Sequence, residues 1–168
     1  ALVPLLLKGP YRWDRLFEKT RTMLTIHNLG YQGTFPSEIA RNLDLGPDSH
    51  LLHQDDLRVG VVNFLKHGLL YADRLTTVSP TYAEEIQTES YGFGLHEVLR
   101  ARREFLVGIL NGVDYEEWNP QTDPHIAQRY SARSLYRKEK NELGLHARLG
   151  LEYDAGAIEG ALCREAGD

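Results

Sequence analysis
The chain has 168 residues, 42% apolar and 26% charged, with a net charge of −5 and one cysteine. That length allows one domain with a substantial core, or one domain and part of a second, and it excludes a small disulfide-stapled scaffold. The acidic balance argues against a general nucleic-acid binder, whose affinity comes from neutralising phosphates, and no apolar run approaches the ~20 residues that span a bilayer.

Residues 1–7 are apolar and read as the tail of a helix, stopped by Gly9-Pro10. No basic leader or small-residue cleavage site accompanies them. Residues 21–26 form a strand candidate, and residues 36–42 a short helix closed by Gly46-Pro47. Asp55 or Asp56 is placed to cap one helix running to about Tyr71, with Leu57, Val61, Phe64, Leu65, Gly68 and Leu69 at helical spacing. Residues 74–78 are a β-branched run. Ser79-Pro80 then supplies an N-cap with proline at the first helical position.

Tyr91-Gly92-Phe93-Gly94 is a loop, Leu95, Val98 and Leu99 begin another helix, and residues 106–110 read as a buried strand ended by Asn111-Gly112. A helix over 134–149 is closed by Gly150, and residues 157–163 are one more strand candidate. Strands alternating with helices predict an α/β fold, a parallel sheet flanked by helices. A charged, glycine-containing link near 151–156 sets the expected boundary, with one domain over 1–151 and a linker and second-domain start over 152–168.

Three strand runs end in polar residues: Ile26 into His27-Asn28, Val78 into Ser79-Pro80, and Leu110 into Asn111-Gly112. In a parallel sheet these ends share one edge, where open α/β sheets hold ligands. An imidazole, carboxamides and hydroxyls would gather there, with Tyr31, Tyr91 and Phe93 as flat walls. Such neutral hydrogen-bonding groups beside aromatic faces suit a polyhydroxylated ligand such as a sugar.

Thr25-Ile26-His27-Asn28-Leu29-Gly30-Tyr31-Gln32-Gly33 resembles the signature loop of bacterial glycogen synthases and plant starch synthases. So do Asn63-Phe64-Leu65-Lys66, Thr76-Thr77-Val78-Ser79-Pro80-Thr81-Tyr82, Tyr91-Gly92-Phe93-Gly94-Leu95 and Leu110-Asn111-Gly112-Val113-Asp114, in the family's order. The resemblance implies a cytoplasmic, retaining GT-B glycosyltransferase with two Rossmann-like domains and no cofactor or metal. It implies transfer of glucose from ADP-glucose to the non-reducing end of an α-1,4-glucan, with neither nucleic acid nor membrane as partner.

By the same resemblance His27 matches the catalytic histidine that reaches the transferred glucosyl unit, and Asn111 the asparagine that contacts the same sugar. Asn28, Tyr31, Gln32 and Gly112 lie in the matching loops and are substrate-binding candidates. Arg164 matches the arginine that faces the nucleotide diphosphate. The pattern then departs from the family, because Glu165-Ala166-Gly167-Asp168 follows where a lysine-bearing continuation is expected. The family's lysine-glycine-glycine loop and His-Asp-Trp-His segment are not found before Ala1 either. The expectation is therefore a partial N-terminal, acceptor-side domain, missing its second domain and inactive alone, with an uncovered sheet edge and exposed apolar surface.

Several motifs have plainer readings. Asn111-Gly112 is by default a turn, and Ser79 a helix cap. His50 and His53 lack further ligands for a metal, so a solvated loop is expected. Lys66, His67 and the Arg100-Ala101-Arg102-Arg103 cluster read as surface by default, and the family motif around Lys66 keeps a site-edge role open for it. Asp114, Glu116 and Glu117 read as a capped turn, with Trp118 covering the core. A non-catalytic glucan-binding module is the alternative to an enzyme fragment.

Overall fold
The computed structural model describes residues 1–150, which fall into two compact units divided between Asn111 and Gly112. The expected boundary at 152, the strand expected at 157–163 and Arg164 lie outside the described residues.

In the first unit, α1 (Val3–Lys8) ends at Gly9, and β1 (Met23–Ile26) opens the sheet. A short hairpin-like pair, β2 (Thr34–Pro36) and β3 (Val61–Asn63), brackets α2 (Ile39–Asn42) and α3 (Gln54–Arg58). Then come α4 (Phe64–Tyr71), β4 (Arg74–Thr77), α5 (Pro80–Glu85), α6 (His96–Ala101) and β5 (Leu106–Gly108). The three main strands form a parallel sheet of order β1-β4-β5, with Ile26 level with Thr77 and Thr77 level with Gly108.

Both crossovers step the same way across the sheet. Right-handed connections therefore put α4, α5 and α6 on one face. There Leu24, Ile26, Leu75 and Leu106 pack with Leu65, Leu69, Ile86, Leu95 and Leu99 into the main core. Strand alternation sends Met23, Thr25, Arg74 and Val107 to the other face, where Met23 is 66% and Val107 54% exposed. Parallel sheets ordinarily bury both faces. Among the described residues this one covers a single face, so the strand expected to be buried at 106–110 is exposed on its outer side. A second core joins α1 to the loops around α2 through Leu2, Leu5, Ala40, Leu45, Leu52 and Val62.

The single helix expected from 55 to 71 is two helices separated by a strand. Its apolar spacing fits a helix throughout, but Gly60 adopts φ +78° and breaks the first segment. Val61 and Val62 then pair antiparallel with Pro36 and Phe35, because β-branched residues fit a pleated ladder. The same pairing leaves only residues 39–42 helical in the segment expected as helix from 36. His53, not an aspartate, caps α3: its Nδ1 accepts from the Asp56 N–H at 3.4 Å.

The second unit carries a 3₁₀ stretch, Ala132–Lys138, with a kink at Ser134, and then α7 (Glu139–Leu149). The helix expected from 134 thus begins later, because Ser131 and Ser134 form a reciprocal capping box before it. Asp114 caps its turn as expected, accepting from the N–H groups of Glu116 and Glu117 at 2.9 and 3.2 Å. Trp118, expected to cover a core, is exposed. No residue of the described part of this unit is buried, so it offers no core for the indole.

Candidate functional site
The strand ends gather as parallel pairing requires. His27 follows β1, Val78 and Ser79 follow β4, and Ile109 to Asn111 follow β5, all at the carboxyl edge. The ladder continues past β5, since the Ile109 N–H donates to the Thr77 carbonyl at 2.7 Å. Two strand spacings separate β1 from β5, so the rim between their ends is about 10 Å wide, the width of one or two sugar rings. His27 and Asn111 are both exposed at it.

Local bonds shape the loop at 27–33. Thr77 Oγ1 donates to the Ile26 carbonyl at 2.8 Å, tying the end of β1 to β4. Asn28 Oδ1 accepts from the Gly30 N–H at 2.9 Å, a turn that commits the oxygen and leaves the amide nitrogen free for a ligand. Leu29 is wholly buried and its N–H donates to Tyr82 Oη at 3.2 Å, so the loop is pinned to α5. Tyr31 projects outward at 81% exposure. Gln32 is engaged at both ends of its carboxamide, with Asn63 and with the Phe93 carbonyl.

Ser79 is a cap: its Oγ accepts from the Tyr82 N–H at 2.9 Å, opening α5. Asn111 closes the first unit and Gly112 begins the second. Phe93 holds φ +46°, a left-handed backbone that costs a non-glycine residue about 1–2 kcal/mol. Its ring is 62% exposed, and that of Tyr91 54%. The strained residue is held by the Gln32 bond to its carbonyl, beside a rim of exposed rings.

Sequence reasoning misjudged the residues beneath the rim. His67 is fully buried, not a surface residue: its Nδ1 donates to the Asn63 carbonyl at 2.6 Å and its Nε2 accepts from the His53 N–H at 2.9 Å. Burial lowers its pKa below the usual imidazole value, outweighing the Asn63 bond that raises it. Lys66 donates to Asp56 at 2.7 Å, with both side chains largely shielded. Arg102 likewise leaves the solvated face expected of it and donates to the carbonyls of Leu69, Leu70 and Ala72, closing the end of α4. The period of α4 places Leu65, Gly68 and Leu69 on one buried face but not His67, whose burial depends on the Asn63 carbonyl and the His53 N–H.

At the opposite, amino end of the sheet lies an open cavity of about 530 Å³ lined by Arg21, Thr22, Met23, Asp73, Arg74 and Phe105. It sits on the uncovered face and takes no part in the His27 rim. Asp73 there accepts from the Thr22 N–H and Oγ1 at 2.7 and 3.0 Å, and these bonds hold its carboxyl below the usual range. Among the described residues no three His, Cys, Asp or Glu side chains gather as a metal would need, and no helix is long and apolar enough to cross a membrane.

Residues 1–101 match the family model described as the starch synthase catalytic domain. Glycogen synthase of Thermodesulfovibrio yellowstonii is 53% identical over 152 residues, which is 90% of this chain and 30% of that protein. Glycogen synthase of Koribacter versatilis is 48% identical over 166 residues, 99% of this chain and 34% of that protein. Among solved structures, the catalytic domain of starch synthase IV from Arabidopsis thaliana, bound to ADP and acarbose, is 35% identical with a TM-score of 0.58, covering 88% of this chain and 31% of that one. The chain spans about a third of the length of these relatives. With the parallel sheet and the motif-bearing rim in place, it belongs to the glycogen and starch synthase family of glycosyltransferases.

Proposed function
We propose that this chain carries the sugar-side half of a retaining glucosyltransferase that moves glucose from ADP-glucose to the non-reducing end of an α-1,4-glucan in the cytoplasm. The observation that carries the reading is the carboxyl rim, where His27, Asn28 and Asn111 stand at the ends of paired parallel strands with Tyr31 beside them. Neutral donors and acceptors of this kind replace the water around sugar hydroxyls without the desolvation penalty of an ion. The starch synthase IV structure holds ADP and acarbose, and a sugar-like ligand together with a nucleotide is what this reaction brings to one cleft.

In this reading His27 and Asn111 grip the transferred glucosyl unit from opposite ends of the rim, and Asn28, Tyr31 and the Gly112 backbone border it. As the glycosidic bond to phosphate breaks, the ring gains oxocarbenium character and the diphosphate gains negative charge. Cations fixed against that phosphate supply much of such catalysis. Arg164 would face it, with further groups from a second domain, so the 168-residue chain alone is inactive.

Incorporation of radiolabelled ADP-glucose into glycogen tests this, run with the chain and with a chain extended to the length of its relatives. Incorporation only by the extended chain is expected, with His27→Ala in it losing activity by ~10² or more. An extended chain that transfers no glucose, or one indifferent to His27→Ala, overturns the proposal. The exposed rings of Tyr31, Tyr91 and Phe93 also favour a second reading, a glucan-binding module without catalysis. Retention of the chain on amylose, with no transfer by the extended form, would select it.

A further inference from the structure
Two loops of the rim, at 27–33 and 91–94, are distant in sequence and joined by one side chain. Gln32 donates its Nε2 to the Phe93 carbonyl at 2.9 Å, while its Oε1 accepts from Asn63 Nδ2 at 2.6 Å. Asn63 is itself fixed, because its Oδ1 accepts from the Lys66 N–H at 2.9 Å and so caps α4. The backbone reinforces this end: the N–H groups of Phe64 and Leu65 donate to the Gly33 and Gln32 carbonyls at 3.0 and 2.9 Å. Gln32 therefore stands on a helix terminus and reaches across to hold a single carbonyl.

The residue it holds is the strained one. Phe93 sits at φ +46°, where a bulky side chain persists only if its surroundings over-determine it. On either side, the Gly92 N–H donates to the Thr88 carbonyl at 2.8 Å and the Leu95 N–H to the Gly92 carbonyl at 2.7 Å. These bonds fix where the loop begins and ends. The Gln32 bond fixes how its tip is turned, and with it the exposed faces of Tyr91 and Phe93.

We infer that Gln32 is a positioning residue for an α-glucan: its carboxamide sets the Tyr91–Phe93 ring pair at a fixed offset from His27, so that a chain of glucose units meets a preformed aromatic wall. This rests on the glucan reading above. Gln32 then acts on the sugar through Phe93 and not by direct contact. Pre-turning the loop spares the ligand the cost of ordering it, which is how such a residue raises affinity.

The test uses the 168-residue chain and three variants, Gln32→Glu, Gln32→Met and Asn63→Asp. Gln32→Glu keeps the acceptor for Asn63 but loses the donor to Phe93. Asn63→Asp keeps the cap of α4 but loses the donor to Gln32, and gives a second route if a Gln32 variant fails to fold. Three quantities are read: the thermal midpoint, amide exchange at Gly92 and Leu95 against Lys66, and the maltoheptaose Kd by NMR titration. In Gln32→Glu, exchange at Leu95 should quicken about tenfold with Lys66 unchanged, and maltoheptaose should bind roughly tenfold more weakly, with the midpoint nearly unmoved. Loss of affinity only in step with the midpoint, or unchanged exchange at Leu95 in every folded variant, overturns the positioning role. A wild-type chain that ignores maltoheptaose overturns the glucan reading instead, while the exchange result still decides whether Gln32 holds the loop.

Discussion

Replacing Gly108 by alanine should damage the rim more than any other single methyl group. A Cβ at that position would stand 2.1 Å from the Ser79 carbonyl oxygen, 2.3 Å from its carbon and 2.4 Å from the Pro80 nitrogen. Ordinary contact begins near 3.4 Å, so β5 and the start of α5 would have to part by about 1.3 Å. All three obstructing atoms are backbone, held by the Ser79 cap and by proline, and they cannot swing aside as a side chain would. Overpacking of this kind costs about 1–3 kcal/mol, and the upper end applies where backbone must move. The separation also stretches the Ile109 to Thr77 hydrogen bond of 2.7 Å, worth about another 1 kcal/mol. At roughly 4 °C per kcal/mol for a chain of this size, the midpoint should fall by about 12–16 °C. Circular dichroism melts would read this, with Gly112→Ala as the control, since nothing lies within 4 Å of a Cβ there. Amide exchange at Ile109 should quicken in Gly108→Ala alone. If Gly108→Ala melts within ~2 °C of wild type, the close approach of β5 to α5 does not exist as described.

Leu69 is fully buried at the centre of the main core, so Leu69→Ala should cost about 3–5 kcal/mol, read as a lower urea midpoint with unchanged slope. His67 predicts a pH dependence. Burial lowers its folded pKa from 6.5, so the unfolded chain binds the extra proton first. Its stabilisation is complete above pH ~6.5 and is lost as pH falls toward the folded pKa, by at most about 1.4 kcal/mol per pH unit. Urea midpoints from pH 7.5 down to 5.5 should therefore drop in wild type and flatten in His67→Gln; equal slopes in both would refute the assignment. The uncovered sheet face, with Met23 and Val107 exposed and Ile109 exposed just past β5, should bind a hydrophobic dye or drive self-association. A dye-silent monomer with a sharp melt at high temperature would contradict that.

The sequence made the rim legible where chemistry is local. A polar stop marks the ends of β1 and β4, with glycine following β1, and Ser79-Pro80 marks the start of α5, because each depends on neighbours in the chain. The break at Gly60 was not legible in the same way. Residues 55–71 satisfy a helical period, and only the pairing of Val61 and Val62 with a segment 25 or so residues earlier turns their middle into β3. His67 and Arg102 were misplaced for a related reason. Their types favour the surface, yet a buried carbonyl and a helix end offered each a partner from another element, and neither partner can be read from local spacing. The double engagement of Gln32 was hidden likewise, since Asn63 and Phe93 lie 31 and 61 residues away.

Charge explains why half a cleft is the consistent reading of these residues. The rim presents an imidazole, carboxamides and aromatic rings, and Lys66 in the adjoining first turn of α4 is already neutralised by Asp56 at 2.7 Å. The guanidinium groups of Arg74 and Arg102 are stacked on Phe105, 5.2 and 4.8 Å from its ring, where β4 and β5 begin. A hexose needs no more than this rim supplies. A departing diphosphate does, because its developing charge in a water-poor cleft must be met by fixed cations to be stabilised at all. On the proposed reading, the described residues would serve the sugar and not its leaving group. On the same reading, a second domain bearing several cations should raise transfer by orders of magnitude over the 168-residue chain. The incorporation assay tests this directly: measurable transfer by the 168-residue chain would mean that the rim stabilises the phosphate by itself, and the division of labour argued from its charges would be wrong.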